Sequence, residues 1–512
     1  MGSFAITYDD FSGGHYMGNK AAALPKNTWY GTNAILNPKG ELIPGESALV
    51  HTFTNPNPNW DAATIHYGYT SSQVTSFVVS WYEYGVGTTS QILNVSVVNN
   101  AVFSTSTTTL TGEVDGQCTV ATDSSGGRYL FYVDVGTYNI RKVDSFGADT
   151  LVSSALALQL PSSITDYKYR LLAWGNSAPS KLFYSDNTKT SFSTGDYYEF
   201  DGAIEAVVPR SNDVVVITSE GIYSITGVFG SSVNIQLIAP PNELLQGMES
   251  AKASGRSVYF VNEGSFPISS DNRLYELLGA TTREVARIGV EDTNLAKFDR
   301  IGMNVIEGGN VAIAVSNGAI YIMRQDGTFV RMFNSRANFT GQSEAYIAEP
   351  RHSFLGTTNY LMMAVTQTDG DVEIHHANHE SPYPCPEFGT TTPAQATVVF
   401  PEYWHQKPMT VRDLLVEVVY DAWHNHPSYL VGDATITASI TPTGAVDYGV
   451  TAVPSLSSSQ QTYTTSLSSV AYNETAVLHR FRVDDAVKAY GFKPKIVFAG
   501  CRIRRVIAVC ED

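Results

Sequence analysis

Charge is scarce in this chain. Asp, Glu, Lys and Arg make up 16% of its 512 residues, well below the usual quarter. The balance is one-sided, with 32 basic against 49 acidic side chains and a formal net charge of −17. Nucleic-acid affinity rests largely on clustered Lys and Arg, so this balance argues against an extended surface that grips phosphate. It is compatible with a surface past which DNA merely slides, and equally with ordinary solubility through self-repulsion.

Long apolar runs are missing too. No stretch approaches the roughly 18 apolar residues of a membrane helix, and Met1-Gly2-Ser3-Phe4-Ala5-Ile6 has neither the basic nor the apolar region of a secretory signal. The expectation is a protein made in a cytoplasm, without membrane insertion, whose sequons at Asn94, Asn338 and Asn473 carry no glycan. Cysteine is rare: Cys118, Cys385, Cys501 and Cys510 form neither a disulfide framework nor a CxxC zinc spacing. Cys501 and Cys510 would bridge only if neighbouring strands brought their Cα atoms together; otherwise they are two packed thiols.

What fills the gap is strand-forming sequence. Hydrophobic residues reach 43%, with 29 Tyr and 23 Phe, while 41 Gly and 22 Pro are scattered instead of collected in one linker. These residue types suit pleated, half-buried surfaces joined by tight turns. The chain is too long for one ordinary core, so it is either several domains or a repeat.

A repeat is visible. An apolar run, a polar turn and a second run containing Tyr recur, most clearly in 214–225 and 311–322, where Glu220-Gly221 and Asn317-Gly318 read as hairpin turns with glycine supplying a positive φ. Related runs start near Phe77, Tyr129, Leu171, Val214, Val258, Val311 and Tyr360, at intervals of 52, 42, 43, 44, 53 and 49 residues. Propeller blades have this period, because four short strands and their turns occupy it. The pattern breaks after Ser381-Pro382-Tyr383-Pro384-Cys385-Pro386, a cluster that cannot lie in a central strand. New strands are predicted at 414–420, 435–440, 476–483 and 495–509, with a Ser/Thr-rich loop at 454–469. Helix signals are confined to 242–253 and a turn at 485–490. The expected fold is all-β: a β-propeller of six or seven blades at 71–385, an N-terminal arm leading into it at 1–70, and a C-terminal antiparallel β-sandwich at 386–512, with or without the strand that closes the wheel.

No chemical centre stands out. His375, His376 and His379, followed by Cys385, are of zinc-ligating type, but the alternating Asp371-Val372-Glu373-Ile374 places them on a strand. There, positions four apart lie about 13 Å from each other and face no common metal. Trp404-His405 and Trp423-His424-Asn425-His426 read as partner-contact residues. The sialidase Asp-box is absent, as Ser185-Asp186-Asn187-Thr188 has the wrong spacing, and Asp369-Gly370-Asp371 lacks the downstream ligands of a calcium loop. No nucleophile elbow, P-loop or dinucleotide fingerprint is present. The chain is therefore not expected to be an enzyme, and no catalytic, cofactor or metal residue is assigned.

One set of blocks goes beyond composition. Asp10-Phe11-Ser12-Gly13-Gly14, Leu24-Pro25-Lys26-Asn27, Asn33-Ala34-Ile35-Leu36 and Gly40-Glu41-Leu42-Ile43-Pro44-Gly45 follow one another in an order that resembles the N-termini of propeller-type tail proteins of tailed bacteriophages. Lys181-Leu182-Phe183-Tyr184-Ser185-Asp186, Phe200, 203–209 and 214–227 resemble a blade of the same family, and 481–509 is similar to its terminal strands. The resemblance implies a virion structural protein of a short-tailed phage, a tail nozzle or hub at the head-to-tail connection. Six copies would form a tube below the portal and adaptor, in contact with other tail proteins. That tube would retain double-stranded DNA and conduct it without sequence-specific binding, in a virion assembled in the host cytoplasm. Phe11, Gly13, Gly14, Trp404 and Trp423 are the residues then expected at subunit or partner contacts. Two alternatives stay open: a carbohydrate-binding or glycan-cleaving propeller, such as a receptor-binding tail component, and a decoration or scaffold propeller on a virion or in a host.

Overall fold

The computed structural model describes residues 3–12, 29–32, 34–36, 40–44, 47–57, 62–71, 74–83, 87–99, 102–145, 147–239, 251–262, 272–288, 300–305, 311–314, 320–323, 329–332, 344–348, 360–367, 369–378, 395–420, 433–445, 461–466, 475–483 and 488–511. Among these, β-strands dominate, and the one helical element is the 3₁₀ turn Ala157–Gln159.

Central strands of the wheel are apolar on both faces because each blade is sandwiched between two others. In Asp213–Thr218 every residue is buried. Val214 and Val216 pack toward Leu172, Leu182 and Phe200 of the preceding blade, while Val215 and Ile217 pack toward Val258, Phe260 and Leu277 of the following one. Each such side chain contributes about 1.5–3 kcal/mol. Residues 62–109, 119–153, 161–199, 204–239 and 251–288 form five antiparallel four-stranded sheets, blades 1 to 5. Residues 300–332 form blade 6, whose first strand touches that of blade 7 through the parallel pairs Arg300↔Glu344 and Ile301↔Ala345. All seven expected run starts, from Phe77 to Tyr360, fall in the second strand of a blade, so the wheel is a seven-bladed β-propeller.

Blade 7 draws only three strands from 344–378; its fourth is Ser47–Phe53, paired antiparallel from Val372↔Phe53 to Ala377↔Ser47. The closure is reinforced at three points. Trp81 Nε1 of blade 1 donates to the Gly370 carbonyl at 2.7 Å, Asn55 N donates to Asp371 Oδ1 at 2.7 Å and Asn55 Nδ2 to the Asp369 carbonyl at 3.0 Å. Gly68 of blade 1 lies so close to Ala348 of blade 7 that a Cβ would sit 3.1 Å from its Cα. The Asp369-Gly370-Asp371 turn, with Gly370 at φ +81°, thus serves to lock the ring.

The second unit is an eleven-stranded sheet wrapped around one core. Its long strand Tyr403–Tyr420 pairs with Lys488–Ala499 at its start and with Cys501–Glu511 and Thr475–Arg482 along its remainder. Strands from the other end of the chain complete it: Ser3–Tyr8 pairs with Cys501–Glu511, Tyr30–Thr32 with Gln395–Val399, and Leu42–Pro44 with Ala34–Leu36 and Cys501–Glu511. The segment expected as an arm, 1–70, therefore divides. Residues 3–44 build the second unit, Ser47–Phe53 closes blade 7 and Ala62–Ser71 opens blade 1, so wheel closure comes from the N-terminal side and not from 386–512.

Other expectations are corrected. Gly221 is not a turn residue with positive φ: the turn is Ser219-Glu220, and Gly221 pairs with Thr218 as the first residue of its strand. The Thr218 hydroxyl makes the turn instead, accepting from Glu220 N at 3.2 Å and donating to the Asp201 carbonyl at 2.8 Å. Asn317-Gly318 lies outside the described residues. Of the predicted helix 242–253 the described part, 251–253, belongs to strand Ala251–Ser254, where sheet pairing overrides local propensity. Residues 488–490, expected in a turn, begin strand Lys488–Ala499. Within the supposed loop 454–469, Gln461–Ser466 pairs with Asp433–Ala438, since Thr suits a strand with one wet face. Cys501 and Cys510 occupy one strand, about 30 Å apart at 3.3 Å per residue, so they cannot bridge. The Pro382–Pro386 cluster lies outside the described residues.

Replacing Trp81 with Phe should leave the buried Gly370 carbonyl without its donor and cost about 1–3 kcal/mol of unfolding free energy in chemical denaturation; undiminished stability would show that ring closure does not depend on this bond.

Candidate interaction surfaces and the propeller channel

The first strands of the blades line the wheel's axis. Among the residues whose side chains are described, the charged ones on these strands are Asp166, Glu205 and Lys252, a mixture of signs. Lys252 of blade 5 places its Nζ 5.7 Å from the ring centroid of Tyr67 in blade 1. These blades are not neighbours, so the contact crosses the axis. This one contact places side chains of the two blades across the channel from each other.

Asp186, Asp123, Glu276 and Asp149 of the propeller are committed to turns and strand pairs. Asp186 accepts from Thr190 N at 2.9 Å and from the hydroxyls of Thr188, Thr190 and Ser191 at 2.8, 2.9 and 3.0 Å. Asp123 accepts from Ser125 N at 2.9 Å, Gly127 N at 3.2 Å and Lys142 Nζ at 2.9 Å. Burial acts to raise both carboxyls, but these donors outweigh it and hold each at about 2. Glu276 is held low in the same way, with Ser257, Tyr259 and Arg283 as donors against burial. Asp149 accepts from Tyr132 OH at 2.6 Å, Thr111 N at 2.8 Å and Arg141 Nε at 3.0 Å. A general acid needs a carboxyl kept protonated near neutral pH; Asp123, Asp186 and Glu276 are held ionised.

One pair resembles a nucleophile and base, and the sequence offered no signal for it. His66 Nε2 lies 3.0 Å from Ser80 Oγ. Ser80 donates to the Val114 carbonyl at 2.7 Å and meets Ser90 Oγ at 2.7 Å, while Ser90 accepts from Val114 N at 2.9 Å. With its proton committed to a carbonyl, Ser80 accepts from the imidazole, the reverse of the polarity a nucleophile requires. The ladder is buried and pins the connection between blades 1 and 2.

In the second unit the N-terminal strands are held by charge. Glu41 is buried against Arg502, which is fully buried and donates through Nη1. Arg504 adds Nε and Nη2 at 3.1 and 3.0 Å to the other Glu41 oxygen, and Arg504 and Arg505 both reach Glu417. The hydrogen bond to Glu41 raises the Arg504 pKa above its ordinary value.

The predicted contact residues separate. Phe11 is buried and packs on Phe400 at 5.8 Å between centroids, inside the chain's own core, and so is not presented to a partner. Trp404 is 54% exposed. It sits over Gly491, where a Cβ would come within 3.1 Å of the indole, so glycine seats it. Phe4, Tyr403 and His405 cluster nearby, with Phe4 and His405 rings 5.3 Å apart. Gly13, Gly14, Trp423, His424, His426, His379 and Cys385 lie outside the described residues. His375 and His376 are adjacent in strand Val372–Asn378 and alternate across it. Among the described residues no group of three metal-ligating side chains occurs, and no helix is long and apolar enough to cross a membrane.

No family model matches the sequence, and no curated protein matches it. Among solved structures the chain is similar to virginiamycin B lyase from Staphylococcus aureus, with 9% identity and a TM-score of 0.41 over 65% of this chain and 99% of that one. It is similar to the Pan2 WD40 domain of Neurospora crassa, with 10% identity and a TM-score of 0.42 over 67% and 97%. BamB from Moraxella catarrhalis gives 11% identity and a TM-score of 0.33 over 64% and 99%. These likenesses bear on fold class alone, and none of those proteins' roles transfers to this chain.

Two measurements check the electrostatics. Arg502→Met should cost about 3 kcal/mol, the low end for breaking a buried pair because Arg504 still meets Glu41, and adding Glu41→Leu should restore part of it; equal stability of all three proteins would dismiss the clasp. Asp123 and Asp186 have depressed folded-state values of about 2, so their contribution is complete above the unfolded value near 3.9 and is lost as pH falls toward 2. The melting temperature should drop across that window, and less steeply in Asp186→Asn.

Proposed function

We propose that this chain is a structural subunit of a short-tailed bacteriophage virion, a tail nozzle or hub protein, and not an enzyme. Six copies form a ring beneath the portal and adaptor, and DNA is retained by the ring and passes through it on ejection. The observation that carries the mechanism is the bridged axis: with Lys252 and Tyr67 meeting across the wheel, the conduit is the opening between copies. Each wheel is a rigid stave whose strands present only short edges. The net charge of −17 keeps non-specific phosphate binding weak, which suits a tube that must let DNA go. The resemblance supports the same role; its blocks fall in the N-terminal segment 10–45, in blades 3 and 4 and in the last strands of the second unit.

Mass photometry of the full chain with and without the phage's portal–adaptor complex tests this. A ring of six copies seated on the complex is expected. A chain that stays monomeric in the presence of that complex would refute the proposal.

A further inference from the structure

The outermost strand of each blade is an open edge unless something covers it, and proteins ordinarily blunt such edges with charge. Three blades follow this rule in the outer strand itself: blade 3 with Asp196 and Glu199, blade 5 with Arg283, Glu284 and Arg287, and blade 6 with Arg331. In blade 2 the outer strand's Asp149 is buried against Arg141, and the outer hairpin carries its charge on the neighbouring strand, at Arg141 and Lys142. Blade 7 is closed by the uncharged Ser47–Phe53, which follows directly on the second unit, and that unit's strand Ala34–Leu36 lies against the outer strand of blade 6.

Blades 1 and 4 break the rule away from the second unit. The outer hairpin of blade 1, Gly87–Asn99 and Val102–Thr109, falls in a run of 29 residues, 84–112, without one Asp, Glu, Lys or Arg. In blade 4, Gly221–Val228 and Ser232–Ala239 fall in a second such run, the 22 residues 221–242. Neither Val102–Thr109 nor Ser232–Ala239 has a further strand beside it among the described residues. Blade 4 also exposes large apolar side chains on this edge, Val228 at 62%, Leu237 at 50% and Ile235 at 37%. Blade 1 instead presents a row of exposed hydroxyls, including Ser104, Ser106 and Thr107.

We infer that these two edges are the contacts between successive copies of this chain, the blade 4 edge of one copy meeting the blade 1 edge of the next. The charge distribution selects this occupant. Two copies each carrying −17 repel wherever their charges face, so they approach most easily where both are neutral. Position agrees. Blades 1 and 4 are three blades apart in a wheel of seven, on roughly opposite sides, and the two edges differ in chemistry. A two-fold dimer needs one self-complementary patch, whereas two unlike patches on opposite sides make head-to-tail contacts that close as a ring. The assignment rests on the ring reading above and adds the surfaces that build it.

Paired charge variants of the full chain test it: Ile235→Lys with Leu237→Lys on blade 4, and Ser104→Lys with Ser106→Lys on blade 1. All four positions are at the surface, so melting temperatures should stay near that of the parent. Each variant alone should lose ring assembly in mass photometry, with self-association weakened at least tenfold. Mixed in equal amounts, the two should form heterodimers that stop there, because only one good edge of each kind remains. In the parent, hydrogen exchange at 102–109 and 232–239 should slow on assembly, a readout independent of whether the variants fold. Rings formed by either variant as readily as by the parent, or unchanged exchange at both edges, would overturn the edge assignment while leaving the ring intact. A parent chain that forms no ring on the portal–adaptor complex would overturn both.

Discussion

The pairing of Ser47–Phe53 with Val372–Asn378 is the constraint on which the rest of the structure depends. A propeller is stable only when its last blade is complete, because an open wheel leaves the apolar faces of two blades without a partner. Here the missing strand comes from more than 300 residues earlier in the chain. Trp81 then fastens blade 1 to the turn around Gly370 in blade 7, and Asn55, just past the closing strand, holds that strand's end to the same turn. Contacts of such sequence separation cost loop-closure entropy before they reward it, so closure is slow relative to forming the hairpins of single blades.

The same strand ties the two units together. Strands before residue 45 cannot drift freely once Ser47–Phe53 is locked in blade 7, and they complete the second sheet instead. Glu41, Arg502 and Arg504 hold that sheet's two ends to each other with charge buried in the interior. A buried ion pair is weak as a source of stability and better suited to fixing one register. In this protein it joins the residue preceding Leu42–Pro44 to Arg502 and Arg504 of Cys501–Glu511, the strand that Leu42–Pro44 meets at Ile503. The chain thus leaves the second unit, traces the wheel and returns, and force on either unit passes to the other through paired backbone.

The wheel was legible in the sequence because its second strands are buried on both faces. Runs such as Val214-Val215-Val216-Ile217 stand out from any composition, and they recur once per blade. The closing strand was not legible: Ser47–Phe53 is an ordinary short strand whose meaning lies in a distant partner. The resemblance points to Phe11 as a contact residue, but Phe400, nearly 400 residues away, takes it into the chain's own core. Trp404, conspicuous in the sequence beside His405, is exposed. Lys252 and Tyr67 could not have been matched, since only the closed ring brings blades 5 and 1 face to face. Long runs without charge were present in the sequence throughout, but they acquire meaning only once they fall on outer edges.

Electron cryomicroscopy of intact phage particles tests the central claim most directly. A nozzle or hub protein predicts seven-bladed wheel density repeated six times around the tail axis, below the portal and adaptor, with the DNA path running between the wheels. The same density found only on fibres, at a receptor-binding tip, or on the capsid surface would contradict it.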